Sequence, residues 1–182
     1  MHPNRRTLLS LFALLALLAL TAGVSACGYS SDSKHTNEGE PLELGELEYN
    51  VTFSRYLNPN DTEDEAYLEG QKEPPKGETY FGVFFEIQNK SDEPQQLPST
   101  LTITDADEQE YEVIPSDSIF ALEFEGTVEA EEQVPVLDSP AQQGPIEGSV
   151  ALFLLPEEAS ENRPLTLHIE GAEKKGEVTL DL

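Results

Sequence analysis

Apolar residues recur at every second position through most of the chain after residue 44. Leu47, Tyr49, Val51 and Phe53 alternate with polar residues, and this spacing places the four side chains on one face of a β-strand. The same spacing predicts strands at residues 101–104, 111–114, 148–155, 165–169 and 178–182, with weaker patterns at 119–124 and 134–137.

In residues 80–89, apolar side chains occupy both odd-numbered and even-numbered positions, and so both faces of a strand. One row contains Phe81, Val83, Phe85 and Ile87, and the other begins with Tyr80, Gly82 and Phe84. A strand that is apolar on both faces is typical of the centre of a sheet. We therefore expect this strand to be central, with Tyr67, Tyr80 and Phe84 in a second apolar layer rather than in a ligand pocket.

The connections between the predicted strands are short and polar. Residues 105–110 separate two strands and predict a β-hairpin, and only residues 62–70 have a pattern that a helix of one or two turns could satisfy. Many short strands joined by turns rich in proline and glycine favour an all-β fold, an antiparallel immunoglobulin-like β-sandwich.

Three stretches support this fold by resemblance. Residues 80–94 read YFGVFFEIQNKSDEP, residues 101–111 hold an Asp-rich turn before Tyr111, and residues 144–153 combine a Gly-Pro turn with a Phe-containing strand. Together they resemble the telokin-like, immunoglobulin-fold domain of unknown function found in many bacterial surface lipoproteins. The resemblance covers most of residues 44–169 and departs at 129–132, where a Pro-Gly turn is usual. It implies a sandwich outside the cytoplasm, mostly with no assigned activity.

The first 26 residues have the pattern of a secretory signal, with Arg5 and Arg6 before an uncharged apolar run from Leu8 to Leu20. Val24-Ser25-Ala26-Cys27 closes the run and resembles the lipobox of bacterial lipoproteins. That resemblance implies a thioether lipid on Cys27, cleavage before it and acylation of the new amino terminus. The alternative is an uncleaved membrane helix over residues 8–26.

This pattern divides the chain into a signal peptide (1–26), a lipidated Cys27 with a flexible tether (27–43) and one sandwich domain (44–182). The tether is predicted because its residues are mostly polar. Cys27 is the only cysteine, so no disulfide and no cysteine-based zinc site can form within the chain.

The net charge is −26, from 10 Lys and Arg residues against 36 Asp and Glu residues. Such a charge repels nucleic-acid phosphates, and we therefore expect no nucleic acid among the partners. A solvated acidic surface is the simplest interpretation of this charge; divalent cations and a basic partner are the alternatives.

Candidate catalytic residues are scarce. His35 falls in the predicted tether and His168 stands alone on a strand, so neither a catalytic triad nor a cluster of histidine ligands is expected. Carboxylates are abundant, but nothing marks any pair as buried, and we expect no enzymatic activity.

Two loops concentrate the oxygen donors that calcium prefers. The candidate calcium ligands are Asp61, Glu63 and Asp64 in the first loop and Asp105, Asp107 and Glu108 in the second. Neither loop has the spacing of an EF-hand, and Asp-rich turns also form for backbone reasons alone.

The sequence thus predicts a lipid-anchored, extracytoplasmic and non-catalytic binding or structural module, without a cofactor unless calcium binds. Its expected partners are the membrane, reached through the lipid, and an envelope protein. A calcium-dependent adhesion or sensing module and a substrate-binding accessory lipoprotein of a transporter are the alternatives.

Overall fold

A computed structural model describes residues 33–171 and 174–181 and confirms the all-β prediction. Within these residues the strands are β1 (Lys34–Asn37), β2 (Pro41–Leu44), β3 (Leu47–Leu57), β4 (Glu78–Asn89), β5 (Gln95–Gln96), β6 (Leu101–Thr104), β7 (Glu110–Ile114), β8 (Thr127–Val128), β9 (Gln133–Val134), β10 (Ser149–Pro156), β11 (Leu165–Glu170) and β12 (Lys175–Leu180). A short helix α1 (Pro140–Gln143) and a 3₁₀ turn (Glu157–Ser160) complete them.

The strands form two layers. Sheet 1 has the order β1-β12-β11-β6-β7, and sheet 2 has the order β7-β10-β4-β3-β2, with β9 paired to the end of β4. Strand β7 belongs to both sheets, because it pairs with β6 through Glu110–Glu112 and with β10 through Val113 and Ile114. Strands β5 and β8 form a separate pair.

Two hydrophobic cores flank sheet 2. The larger lies between the sheets and includes Phe81, Val83 and Phe85 from β4 opposite Leu167 and Ile169 from β11. The second lies on the outer face of sheet 2, beneath the long connections that follow β3 and β7. Its buried members are Leu57, Tyr67, Leu68, Tyr80, Phe84, Phe120, Ala141, Val150 and Leu152. Strand β4 is therefore central, and the aromatic residues form an apolar layer, both as predicted.

The predicted tether and strand directions need correction at the amino-terminal end. Residues 34–37 and 41–44 are not a flexible tether, because they form β1 and β2, and Leu42 is buried. Strand β1 pairs with β12 in parallel, so the sandwich is not wholly antiparallel. The turn between β1 and β2 is anchored by Glu38, whose carboxylate accepts hydrogen bonds from the Ser54 and Asp181 amides, each at 3.0 Å.

A β-bulge at Thr52 corrects the prediction for Phe53. The pairing with β4 shifts by one residue between Val51 and Phe53. After Thr52, even-numbered rather than odd-numbered side chains therefore face the core. Ser54 is consequently buried, whereas Phe53 remains 43% exposed rather than following Val51 into the core. Alternation alone could not show this because a bulge inserts one residue without changing the composition of the strand.

Three weaker predictions also change. Residues 119–124 form turns with a single bridge from Ala121 to Val150, instead of a strand. The strand predicted at 134–137 is reduced to β9, and Val136 and Leu137 are exposed. Residues 62–70 form consecutive turns rather than a helix.

The predicted signal peptide and the lipidated Cys27 lie outside the described residues. Across residues 33–171 and 174–181, no helix is both long enough and apolar enough to cross a bilayer.

Candidate functional site

The first acidic loop is held to the domain by a buried carboxylate. Asp64 is 1% exposed and forms a two-pronged ion pair with the guanidinium of Arg55 on β3. Its Oδ2 also accepts a hydrogen bond from the backbone N–H of Asn58 at 2.7 Å. Asp64 therefore anchors the loop after β3. Asp61 and Glu63 are exposed, and the Oδ1 of Asp61 accepts a hydrogen bond from the backbone N–H of Glu63 at 3.0 Å.

The second acidic loop is organised in a similar way around Asp105. Its Oδ1 accepts hydrogen bonds from the backbone N–H groups of Asp107 and Gln109, both at 3.0 Å, and its Oδ2 accepts one from the Tyr111 hydroxyl at 2.9 Å. Burial acts to raise the pKa of Asp105, but these hydrogen bonds outweigh it and the pKa is lowered. Burial and the neighbouring carboxylate raise the pKa of Tyr111 to about 12.

Calcium binding by these loops stays a prediction. The innermost carboxylate of each loop, Asp64 or Asp105, already accepts hydrogen bonds from protein donors and stabilises the loop through them. Asp107 and Glu108 are exposed in a turn stabilised by Asp105. Among the residues described, no group of three or more His, Cys, Asp or Glu side chains is placed to hold a metal ion.

Asn89-Lys90-Ser91, an Asn-polar-Ser motif within one of the three stretches that carried the family resemblance, has a structural explanation. Asn89 is fully buried at the end of β4, and its amide donates to the carbonyl oxygens of Glu93, Val128 and Glu129 at 2.8–3.0 Å. Its own carbonyl accepts from the amide and hydroxyl of Ser91. These contacts fix two loops, so the Asn-polar-Ser motif serves the fold rather than a reaction.

The outer face of sheet 1 brings together polar residues from five strands. In one cross-strand row, His35 is in register with Glu177, Glu177 with His168, His168 with Thr102, and Thr102 with Glu112. The adjacent row is Asn37, Thr179, Thr166, Thr104 and Glu110. Both histidines of the described chain therefore flank the same carboxylate.

Threonines of the second row hold both imidazole rings. His35 Nε2 lies 2.9 Å from Thr179 Oγ1, and His168 Nε2 lies 2.7 Å from Thr104 Oγ1. His168 Nδ1 faces Glu177, with 4.0 Å between Nδ1 and Oε1. The side chains of His168 and Glu177 are 34% and 36% exposed, so the pair is open to solvent.

Two surface depressions lie near the features described. One of about 360 Å³ covers part of the histidine row and includes Thr102, Thr104, Glu110, His168 and Glu177. A larger one of about 690 Å³ follows residues 59–73 and ends at Tyr80, whose hydroxyl donates to the Lys72 carbonyl at 2.7 Å. Its lining is mainly the polar surface of one loop and includes the charged residues Glu65, Glu69, Lys72 and Glu73.

Sequence reasoning missed the histidine row because it placed His35 in the tether. Lys34–Asn37 has no apolar residue, and a strand of this kind gives no hydrophobic alternation. The alternation of β12 shows that Glu177 and Thr179 lie on an exposed face, but it does not indicate which strand pairs along the edge, because pairing uses backbone groups. His168 does face away from Leu167 and Ile169, as predicted.

Comparisons with known proteins give information about the fold. No protein-family profile and no curated protein sequence matches the chain. Among solved structures, the ycdA protein of Bacillus subtilis, described as a candidate lipoprotein, has a TM-score of 0.51 at 14% identity, over 80% of this chain and 39% of its own. This likeness shows the fold alone.

Two smaller proteins align over nearly their full length. A β-sandwich protein from Clostridium difficile 630 has a TM-score of 0.49 at 14% identity, over 82% of this chain and 95% of its own. The yjhA protein of Bacillus subtilis has a TM-score of 0.49 at 14% identity, over 81% and 99%. The resemblance to telokin-like domains of surface lipoproteins stays a prediction.

Proposed function

We propose that this protein is a lipid-anchored, non-catalytic module of the bacterial cell envelope that binds or supports another envelope component outside the membrane. The observation that carries the proposal is Val24-Ser25-Ala26-Cys27 at the end of an uncharged apolar run. Attachment through two or more acyl chains is stable, whereas a single chain binds membranes only marginally.

The early start of the domain supports a position close to the membrane. Residues 28–33 alone separate Cys27 from β1, and seven residue steps span at most about 25 Å. A tether of this length holds the first strand near the lipid headgroups. The excess of carboxylates repels an anionic membrane surface, so the domain is expected to stand off the lipid rather than lie on it.

A non-catalytic role is supported by how the polar side chains are used. The most buried charged groups, Asp64 and Asp105, stabilise loops, and the buried Asn89 ties two loops together. The exposed groups are spread over flat sheet faces and turns. A scaffold that uses these buried polar groups for its own loops is suited to binding through its surface.

Mass spectrometry of the full chain purified from bacterial membranes tests the anchor. We expect a diacylglycerol thioether on Cys27 as the first residue of the mature protein, and expect Cys27→Ser to remain unprocessed. A matched variant, Cys27→Ser with Ser30→Cys, keeps one thiol at the wrong position and should also fail to be processed. An unmodified Cys27 or an intact signal in wild-type protein would disprove the anchor.

Crosslinking in intact cells tests the binding role. We expect the wild-type chain to crosslink to a defined envelope protein, and expect the unprocessed Cys27→Ser chain to lose that product. If the wild-type chain gives no product above that of the variant, the proposed binding role is wrong.

A further inference from the structure

The large apolar side chains that stay exposed in the described part of the chain lie around the short helix α1. They are Phe53, Ile119, Val136 and Leu137, and between 43% and 66% of each residue is exposed. Single exposed apolar residues are common on soluble proteins, whereas a group of them on one side of a domain marks an interaction site. We call these four residues the α1 patch.

Two connections bring three of the four residues to α1. Val136 and Leu137 form the turn that leads into the first residue of the helix. Ile119 comes from the connection after β7, and its neighbour Phe120 packs at the other end of α1. A Cβ on Gly144, which ends the helix, would lie only 2.9 Å from the Phe120 ring, so the two segments are in direct contact.

Phe53 reaches the same place from β3. The hydroxyl of its neighbour Thr52 donates to the carbonyl oxygen of Glu147 at 3.1 Å, and the Glu147 carboxylate accepts from the side-chain amide of Gln142 in α1 at 3.4 Å. The Phe53 ring lies 6.4 Å from the ring of Phe84, which belongs to the second core. The α1 patch therefore rests on packed structure, and little ordering is needed when a partner binds.

The surroundings of the α1 patch are acidic. No Lys, Arg or His occurs between residues 91 and 162, a range that contains three of the four patch residues. The exposed carboxylates of Asp117, Asp138 and Glu147 lie on the same connections. An apolar centre with a charged rim is the usual anatomy of a protein-binding surface, and a rim of one sign favours a partner of the opposite sign.

We propose that the α1 patch binds a basic, amphipathic segment of an envelope protein, with apolar side chains that cover the patch and Lys or Arg residues that meet the rim. This inference rests on the binding role proposed above. A second copy of the chain has the same net charge of −26, and an anionic membrane surface is also negative, so the acidic rim repels both.

Photo-crosslinking in intact cells tests the α1 patch. The photoreactive residue p-benzoylphenylalanine replaces Leu137 in one full-length chain and Thr166, on the outer face of sheet 1, in another. We expect an adduct from position 137 in which the crosslinked segment, sequenced by mass spectrometry, combines apolar residues with Lys or Arg. Position 166 should give less than about a tenth of that yield.

A double substitution tests the apolar contacts. Ile119→Ser with Val136→Ser should lower the adduct yield from position 137 about tenfold, because two apolar contacts with the partner are lost. Both side chains are exposed, so the purified variant should keep the Tm of the wild type within about 3 °C. Thr102→Ser with Thr166→Ser, on the outer face of sheet 1, is the matched control and should leave the yield unchanged.

Three results would overturn the inference. The first is an adduct from position 137 with another copy of this chain, with phospholipid, or with a segment that lacks Lys and Arg. The second is a yield that the Ile119 and Val136 substitutions leave unchanged. The third is an adduct from position 166 alone, which would leave the proposed binding role standing; a lack of adducts from both positions would contradict that role as well.

Discussion

At the scale of single residues, the fold leaves a few buried polar groups of the described chain unsatisfied, among them the Tyr49 hydroxyl. Tyr49 is 1% exposed on β3, and its hydroxyl has no hydrogen-bond partner among the residues described. Burial raises the pKa of this hydroxyl above its usual range because the charged form would be poorly solvated. A buried donor without a partner costs stability, whereas the ring itself contributes to the core.

Tyr49→Phe should therefore increase the free energy of unfolding. Removing an unsatisfied buried hydroxyl while keeping the ring is expected to stabilise the domain by about 1 kcal/mol. Chemical denaturation of both proteins, at an unchanged m-value, measures the difference. A loss of stability would show that the hydroxyl has a hydrogen bond in solution.

Asp64→Asn should have the opposite effect. The variant leaves the guanidinium of Arg55 without its counter-charge, and the loss is about 2 kcal/mol, reduced from the value for a fully buried pair because the Arg55 side chain is 31% exposed. Asp61→Asn in the same loop is the matched control. Asp61 is exposed, and asparagine keeps the side-chain oxygen that accepts the Glu63 N–H, so stability should change little. Equal effects of the two substitutions would contradict the anchoring role of Asp64.

At the scale of elements, short polar segments fix the positions of the strands. Asp105 organises the turn of the β6–β7 hairpin through three hydrogen bonds, and Asn89 holds the turn that follows β4. Both side chains act on backbone groups that would otherwise lack partners. The loops are therefore parts of the fold rather than additions to it.

Asp105→Asn should destabilise the domain in a pH-dependent way. The folded-state pKa of Asp105 lies below the ordinary 3.8, so its contribution is present above that pH and is lost as the pH falls through the lowered value. At pH 7 we expect the variant to be less stable by about 1–2 kcal/mol. Denaturation at pH 7 and at pH 3 measures the difference in unfolding free energy between the wild type and the variant. This difference should be smaller at pH 3, and a difference that stays constant would exclude the linkage to Asp105 ionisation.

The limits of sequence prediction are visible in the same elements. Strands β4, β10 and β11 were predictable because their buried faces demand apolar residues at fixed spacing. Strand β1 was not, because it is polar and its place depends on a parallel partner about 140 positions later in the chain. The bulge at Thr52 also left no trace in composition.

The candidate sites were predictable only in part. The acidic loops were found as clusters of oxygen donors, but the Arg55 partner of Asp64 comes from the preceding strand and is brought to it by the fold. The histidine row required the β1–β12 pairing, so it could not be assembled from the sequence.

At the scale of the whole molecule, charge of one sign dominates. The chain carries 36 acidic residues against 10 Lys and Arg residues. Because acidic residues outnumber Lys and Arg more than three to one, pairs such as Lys34–Glu43 and Lys90–Glu48 can neutralise only a minority of them. Repulsion among the others opposes the folded state, and salt screens it within about 10 Å at 0.1 M.

Raising NaCl from 10 mM to 500 mM should therefore raise the Tm. Four exposed carboxylates, Glu65, Glu69, Glu73 and Glu123, can be replaced by glutamine together, and this variant should respond less to salt. Scanning calorimetry of both proteins gives the comparison. A Tm that does not change with NaCl would show that repulsion contributes little. A larger gain in Tm with CaCl₂ than with MgCl₂ at equal concentration would support the calcium prediction.

Strand β7 makes the two layers a single cooperative unit. The first half of β7 pairs with β6 in sheet 1, and its second half pairs with β10 in sheet 2. The two sheets therefore cannot separate at β7 without exposing backbone groups of both. Separation of the layers should thus coincide with global unfolding. The backbone amide that β7 donates to β10, from either Val113 or Ile114, should exchange with solvent only through unfolding of the whole domain.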